Sequence, residues 1–335
     1  MLLQKEEYSI LLSKLYSILA FCVNCSKLAV RSSRVNQIAL LLKVVNFLDD
    51  PLVYELHLDS NQLTSLPNEL FLSISKLPLQ TLSISRNPLV LESSCRLIKE
   101  LAVCKFLRRL NLKMCKLTGS EIGEALAILI ITLQSLQELN LSLNFLSGPA
   151  IQSLAKHIPS NNKSLLNTLI LDNNLLSNKD VELLMIVVGR LKSLVLLSIQ
   201  CNKFGPHAGQ LIGEALKSSS SLQSINVSHN RILDEGLRGI MSGIEFNKTI
   251  QKLYAADIHA TQKCFTQCLE SLLYGTSSLE FISLDLNKLK LTPEIVKLLK
   301  RVFNTCHRLK TISLLNDEAV NIEVDKEIYS KLRLN

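Results

Sequence analysis

The chain has 335 residues, 47% of them hydrophobic, and 37 basic against 29 acidic residues leave a formal charge of +8. The basic residues are dispersed and aromatics make up only 5%, which excludes the charged, base-stacking grooves of nucleic-acid binders. No apolar run is long enough to span a bilayer.

Near the start, Ile10, Leu11, Leu15, Ile18, Leu19 and Cys22 form a helical stripe. Glu6 and Glu7 follow Lys5 at once, Lys14 interrupts the stripe, and no small-residue cleavage site follows it. The stripe therefore reads as a cap helix and not as a targeting signal. The segment Cys25-Ser-Lys-Leu28-Ala-Val30, with Ser33 and Val35, is a degraded copy of the pattern that comes next, and Ile38–Leu48 reads as an apolar helix. Residues 1–50 are expected to form a helical N-terminal cap with a degenerate repeat.

From Val53 an eleven-residue frame returns ten times, with leucine-type residues at positions one, four, six and eleven and usually Asn at nine. Copies run Val53–Leu63, Leu79–Leu89, Leu107–Leu117, Leu136–Leu146, Leu166–Leu176, Leu194–Phe204 and Leu222–Ile232. A weakened copy spans Ile250–Ala260, a better one Leu279–Leu289, and a worn one starts at Leu309. Position nine holds Asn61, Asn87, Cys115, Asn144, Asn174, Asn202, Asn230, Ile258, Asn287 and Asp317, a mean spacing of about 28 residues. Positions four and six point one way and three, five and seven the other, as in a short strand. An Asn where the chain leaves the strand can donate to and accept from backbone groups left without partners, so stacked copies form an amide ladder. Ile258 lacks this amide and has Ala255, Asp257 and Ala260 for neighbours, which predicts an irregular turn there.

Between frames the spacing turns helical. Ile122, Ala125, Leu126 and Leu129 share one face, and Gly148-Pro149 and Gly205-Pro206 open further helices, because proline in a first turn removes only an N–H that had no partner. Helices are wider than strands, so the stack should bend with strands on the concave side and helices on the convex side. Residues 51–318 form this stack, and 319–335 read as a C-terminal cap over its last apolar face.

This pattern, from 53 to 317, resembles the ribonuclease-inhibitor-like subclass of leucine-rich repeat proteins, also found in nucleotide-binding innate immune receptors and Ran GTPase-activating proteins. The resemblance implies an α/β fold, a right-handed leucine-rich repeat solenoid shaped as a curved horseshoe. Leu63-Thr-Ser-Leu66-Pro67-Asn-Glu-Leu70 departs from it as a shorter-repeat phrase. That mixture is similar to secreted effectors of intracellular bacteria such as Legionella. The same stretch looks like the opening of an F-box, but a new frame at Leu79 leaves no room for that three-helix module.

No nucleophile elbow, phosphate loop or HExxH motif occurs. The six histidines are scattered, and no cofactor or metal is expected. Nine cysteines fall mostly at core positions. Cys22/Cys25 and Cys264/Cys268 lack a second pair at zinc-finger spacing, so the thiols read as structural and the compartment as reducing, hence cytoplasmic, or host cytosol for a secreted effector.

The facing frame positions carry the functional expectation. The third frame is basic (Arg108, Arg109, Lys113, Lys116) with Met114. The next three are apolar (Leu143, Phe145, Ile170, Leu175, Val195, Leu196), and Tyr254 and Phe281 come later. Leu143, Leu175 and Leu196 can alternatively tuck into turns between coils. The chain is read as a monomeric, non-enzymatic scaffold. Its concave face binds a protein with an acidic edge through Arg109, Lys113, Met114, Phe145, Ile170, Leu196, Tyr254 and Phe281. Rival readings are a small-GTPase regulator, as the Ran GTPase-activating resemblance implies, and a ubiquitin-ligase adaptor.

Overall fold

The computed structural model describes residues 26–30, 53–66, 68–274, 278–315 and 330–333. Within them, twelve strands make one parallel sheet whose spatial order is the chain order. They are β1 (Lys27–Ala29), β2 (Glu55–His57), β3 (Thr81–Ser83), β4 (Arg109–Asn111), β5 (Glu138–Asn140), β6 (Thr168–Ile170), β7 (Leu196–Ser198), β8 (Ser224–Asn226), β9 (Lys252–Tyr254), β10 (Phe281–Ser283), β11 (Thr311–Ser313) and β12 (Leu332–Arg333). Each of β2 to β11 occupies positions three to five of one frame, and the degraded frame supplies β1, with Leu28 opposite Leu56. The stripe Ile10–Cys22, the segment Ile38–Leu48 and residues 316–329 lie outside the described residues.

Position four is the inward point of every strand. Leu56, Leu82, Leu110, Leu139, Leu169, Leu197, Ile225, Leu253, Ile282 and Ile312 are all buried. From β3 to β11, consecutive strands are joined through helices: Leu91–Glu100, Ser120–Thr132, Pro149–His157, Asn178–Arg190, Pro206–Ser218, Leu233–Phe246, Gln262–Leu272 and Pro293–Thr305. A shorter helix, Asn68–Lys76, sits between β2 and β3. Their apolar stripes close the other side of the core, with Ile122, Ala125, Leu126 and Leu129 buried together. Prolines open three helices, and Ser177 caps a fourth by accepting from the Asp180 amide while Asp180 accepts from the Ser177 amide. The result is an α/β leucine-rich repeat solenoid.

Position nine performs the bonding that its chemistry allows. Asn144 Oδ1 accepts from the amides of Cys115 and Leu117 at 2.9 and 3.0 Å, and its Nδ2 donates to the carbonyls of Leu112 and Leu141, both at 2.9 Å. Asn87 repeats this with the Asn61 and Leu63 amides and the Leu58 and Ile84 carbonyls. Asn202 serves Asn174 and Leu176. Each amide thus ties two coils. Cys115, lacking the acceptor, donates its thiol to the carbonyls of Ile84 and Lys113.

The turn around each ladder residue has a fixed backbone. Position eight is left-handed in all nine described copies: Ser60, Arg86, Met114, Leu143, Asn173, Cys201, His229, Asp257 and Leu286 have φ between 47 and 58°. Position ten is also left-handed at Gln62, Lys116, Leu175, His259 and Lys288. Non-glycine residues adopt this region only where surrounding bonds hold them there.

The irregular turn expected at Ile258 is not formed. Asp257 and His259 take the same left-handed pair, Ile258 is fully buried, and the Ile258 and Ala260 amides reach Asn287 Oδ1 at 3.0 and 3.2 Å. The missing acceptor is felt one coil earlier, where Leu233 turns left-handed and gives its N–H to the Ile258 carbonyl. An apolar side chain fits the slot here because Asn287 of the following coil supplies the acceptor for the amides of this turn.

Two helices approach to backbone contact. Gly209 and Gly213 of Pro206–Ser218 face Gly236, Gly239 and Gly243 of Leu233–Phe246; a Cβ on Gly209 would lie 2.5 Å from the Gly236 Cα, and one on Gly213 would collide with the Gly239 carbonyl. Backbone cannot yield as a side-chain tip can. Gly213→Ala should therefore lower stability by about 3 kcal/mol in denaturant melts, whereas Gly189→Ala, with open space around it, should not destabilise.

Asn174 is fully buried, accepts from the Leu146 amide and donates to the Leu141 carbonyl. Asn174→Ala should cost roughly 1 to 3 kcal/mol per stranded group, and the exposed Asn161→Ala close to nothing. Equal melts for these two variants would show that position nine does not hold the stack.

Candidate functional site

Parallel register turns the strand face into two columns. Position three runs Lys27, Glu55, Thr81, Arg109, Glu138, Thr168, Leu196, Ser224, Lys252, Phe281, Thr311, and position five runs His57, Ser83, Asn111, Asn140, Ile170, Ser198, Asn226, Tyr254, Ser283, Ser313. Tyr254 and Phe281, diagonal neighbours on β9 and β10, pack their rings with centroids 5.1 Å apart. Ile170 and Leu196 hold the same diagonal relation on β6 and β7. All four are half-buried. Ser224 and Asn226 of β8 separate the pairs, so the strand face carries two apolar spots and no continuous patch.

Much of the polar remainder is bound within the sheet. Asp59, at position seven, accepts from the Ser83 and Ser85 hydroxyls and the Ser85 amide. Asp172 does the same for Ser198 and Gln200, and Asp285 for Ser313 and Leu315. Ser83, Ser85, Ser198 and Ser313 are consequently buried. From one frame alone these serines look solvent-facing. Their closure depends on a carboxylate in the preceding coil.

Arg109 is also engaged. Its guanidinium donates to Thr81 Oγ1 at 3.0 Å and lies 3.5 Å from Glu55 Oε1, while Lys27 approaches the same carboxylate at 3.5 Å. Burial acts to raise the Glu55 pKa, but contacts with His57 and Lys27 and the charges of Lys27 and Arg109 outweigh it and hold the carboxyl below its ordinary value. His57 Nε2 is buried 3.6 Å from Glu55, without a hydrogen-bond partner.

The remaining expected residues gather at the turn edge, where the strands end. A groove of about 670 Å³ is lined by Arg86, Pro88, Lys113, Met114, Lys116, Leu143 and Phe145. These are positions eight and ten of three successive frames, plus Lys113 at seven. Met114, Phe145 and Leu143 are 51, 50 and 40% exposed, and Leu175 beyond them 41%. Leu143 and Leu175 therefore do not tuck between coils. Their left-handed turns hold them out. The expected residues split into two groups: Lys113, Met114 and Phe145 share the groove, and Arg109, Ile170, Leu196, Tyr254 and Phe281 lie on the strand face. Arg86, Pro88, Lys116 and Leu143 complete the groove. The frame contained the signal, since all four hold position eight or ten.

Further along this edge, His229 Nδ1 lies 3.2 Å from Asp257, with His259 4.0 Å away on the other oxygen. Among the described residues no group of three or more His, Cys, Asp or Glu could hold a metal ion, and no helix is long and apolar enough to cross a membrane. Cys264 and Cys268 place their sulfurs 4.0 Å apart within one helix, and all seven described cysteines are free thiols.

Residues 218–241 match the family model described as leucine rich repeat. A stretch of 118 residues is 30% identical to the protein phosphatase 1 regulatory subunit 37 homolog of Caenorhabditis elegans, covering 35% of this chain and 12% of that protein. The fold is that of a leucine-rich repeat solenoid. A crystal structure of the APL1 leucine-rich repeat domain aligns over 86% of this chain and 74% of that one, at 18% identity and a TM-score of 0.42.

Burial pushes the thiols of Cys104 and Cys115 up to about 11. Thiolate is the reactive form, so at pH 8 these two stay protonated as well as enclosed. Iodoacetamide on the native chain should label half-buried Cys95, Cys201 and Cys306 well before Cys104 and Cys115, as read by peptide mass spectrometry. Equal labelling of Cys115 would mean that the ladder slot is open to solvent.

Proposed function

We propose that the chain is a non-catalytic scaffold that binds a protein partner across its strand face and turn edge, using Arg109, Lys113, Met114, Phe145, Ile170, Leu196, Tyr254 and Phe281. The observation that carries this is apolar exposure at positions to which the core makes no claim. Inward positions four and six bury the core, yet Met114, Leu143, Phe145 and Leu175 keep 40 to 51% of their surface outside it. Exposed apolar side chains beside cations are the composition of association sites, with aromatic and Arg anchors dominating their energy. The acidic edge inferred for the partner follows from Lys113 and its basic neighbours. The free thiols suit a reducing compartment such as the cytosol, and the scaffold would serve equally in a secreted effector that acts on a host protein.

A second reading, regulation of a protein phosphatase, is favoured by the relative with that role in its name. Purified protein phosphatase 1 catalytic subunit is the direct probe. On this reading it binds the chain saturably and its turnover of a phosphoprotein changes; no binding at micromolar concentrations removes it.

For the scaffold itself, capture from cytosol should compare the native chain with a Leu196→Asp/Phe281→Asp variant that melts normally. Proteins retained by the first and lost by the second mark the strand face as the docking surface. An identical set on both places docking elsewhere.

A further inference from the structure

The turn-edge groove differs from the strand face in one respect that identifies its occupant. On the strand face, several charges are answered within the chain: Glu55 faces Lys27 and Arg109, Asp59 and Asp172 accept from serines of the next coil, and Lys310 pairs with Glu280 at 2.6 Å. In the groove, Arg86, Lys113 and Lys116 surround Pro88, Met114, Leu143 and Phe145, and among the described residues no carboxylate pairs with any of the three cations. Three unanswered positive charges around an apolar floor call for a ligand with apolar side chains between negative ones.

We propose that this groove docks a short extended acidic peptide segment of a partner protein, one or two large apolar side chains seated on Met114, Leu143 and Phe145 and flanking carboxylates on Arg86, Lys113 and Lys116. The inference rests on the scaffold reading and names the chemistry of its ligand. A nucleic-acid strand fits less well, since Phe145 is the one ring in the lining and successive bases need successive stacking faces. A membrane surface fits less well too, because Met114, Leu143 and Phe145, though held out from the core, line a groove of about 670 Å³. The groove is already shaped in the free chain: Arg86, Met114, Lys116 and Leu143 all stand on left-handed backbone, tied down by the amides of Asn87 and Asn144 beside them. Such rigidity reduces the ordering cost of binding.

The test is fluorescence anisotropy with a labelled peptide of sequence EEDLFDE, its charge-reversed counterpart KKRLFKK, an oligo-dT strand and phosphatidylserine vesicles. Expected is saturable binding of the acidic peptide, weakened about tenfold between 50 and 300 mM salt. Phe145→Ala should weaken it about thirtyfold, chiefly through faster dissociation. Lys113→Glu/Lys116→Glu should slow association about tenfold at low salt. Phe246→Ala, on the exposed helical side, should leave binding unchanged, and all variants should melt like the native chain. The proposal is overturned if the acidic peptide fails to saturate or the reversed peptide binds equally. It is overturned as well if oligo-dT or vesicles bind more tightly, or if sedimentation shows a self-association that Phe145→Ala abolishes. Loss of binding in Tyr254→Ala but not in Phe145→Ala would also sink the groove while leaving the scaffold reading intact on the strand face.

Discussion

A side-chain amide shared between two coils is the contact from which the rest of the molecule follows. A coil that leaves a three-residue strand has backbone N–H and C=O groups with no partner of their own, and no water reaches them in the stack. Asn at position nine answers two carbonyls and two amides at once, as Asn144 does for Leu112, Leu141, Cys115 and Leu117. Because the groups belong to adjacent coils, neither coil is satisfied alone, and stability resides in the interface between repeats. The same bonds force position eight into left-handed backbone at every described turn. A row of outward-held side chains along one edge is thus a by-product of packing, and the identity of those side chains is free to serve binding.

That division of labour separates the two surfaces of the solenoid. The strand face is braced by carboxylates at position seven, where Asp59, Asp172 and Asp285 reach the serines of the next coil. These aspartates are answered within the sheet, and two apolar pairs are set into the same face. The edge lies outside this bracing. Its cations and apolar side chains around Met114 and Phe145 lie outside the core, so substitutions there should leave the fold alone. The convex side does the opposite: glycines between Pro206–Ser218 and Leu233–Phe246 bring backbones into contact, and there even a methyl group is excluded.

What a single repeat contains was legible from the chain. Leucine spacing placed every strand from β2 to β11, the polar amide at position nine marked the turn, and Ile122, Ala125, Leu126 and Leu129 marked a buried helix face. What depends on register between repeats was not. Ser83 and Ser85 looked exposed because the aspartate that binds both, Asp59, sits 24 and 26 residues away. Arg109 looked available because Glu55 is two coils back. Ile258 looked like a defect because the residue that shapes its turn is Asn287, one coil on. Of the expected site residues, Lys113, Met114 and Phe145 meet in one groove since they occupy edge positions of neighbouring frames. Ile170, Leu196, Tyr254 and Phe281 fall on the strand face because positions three and five lie there.

Hydrogen exchange on an Asn144→Ala variant bears most directly on the central claim that one shared amide holds both a coil and the edge built on it. Protection should fall at Cys115 and Leu117, whose amides lose their acceptor, and at the groove turn around Leu143 and Phe145, with little change in the coils around Asn230 and Asn287. A uniform loss along the whole stack, or undiminished protection at Cys115 and Leu117, would contradict the account.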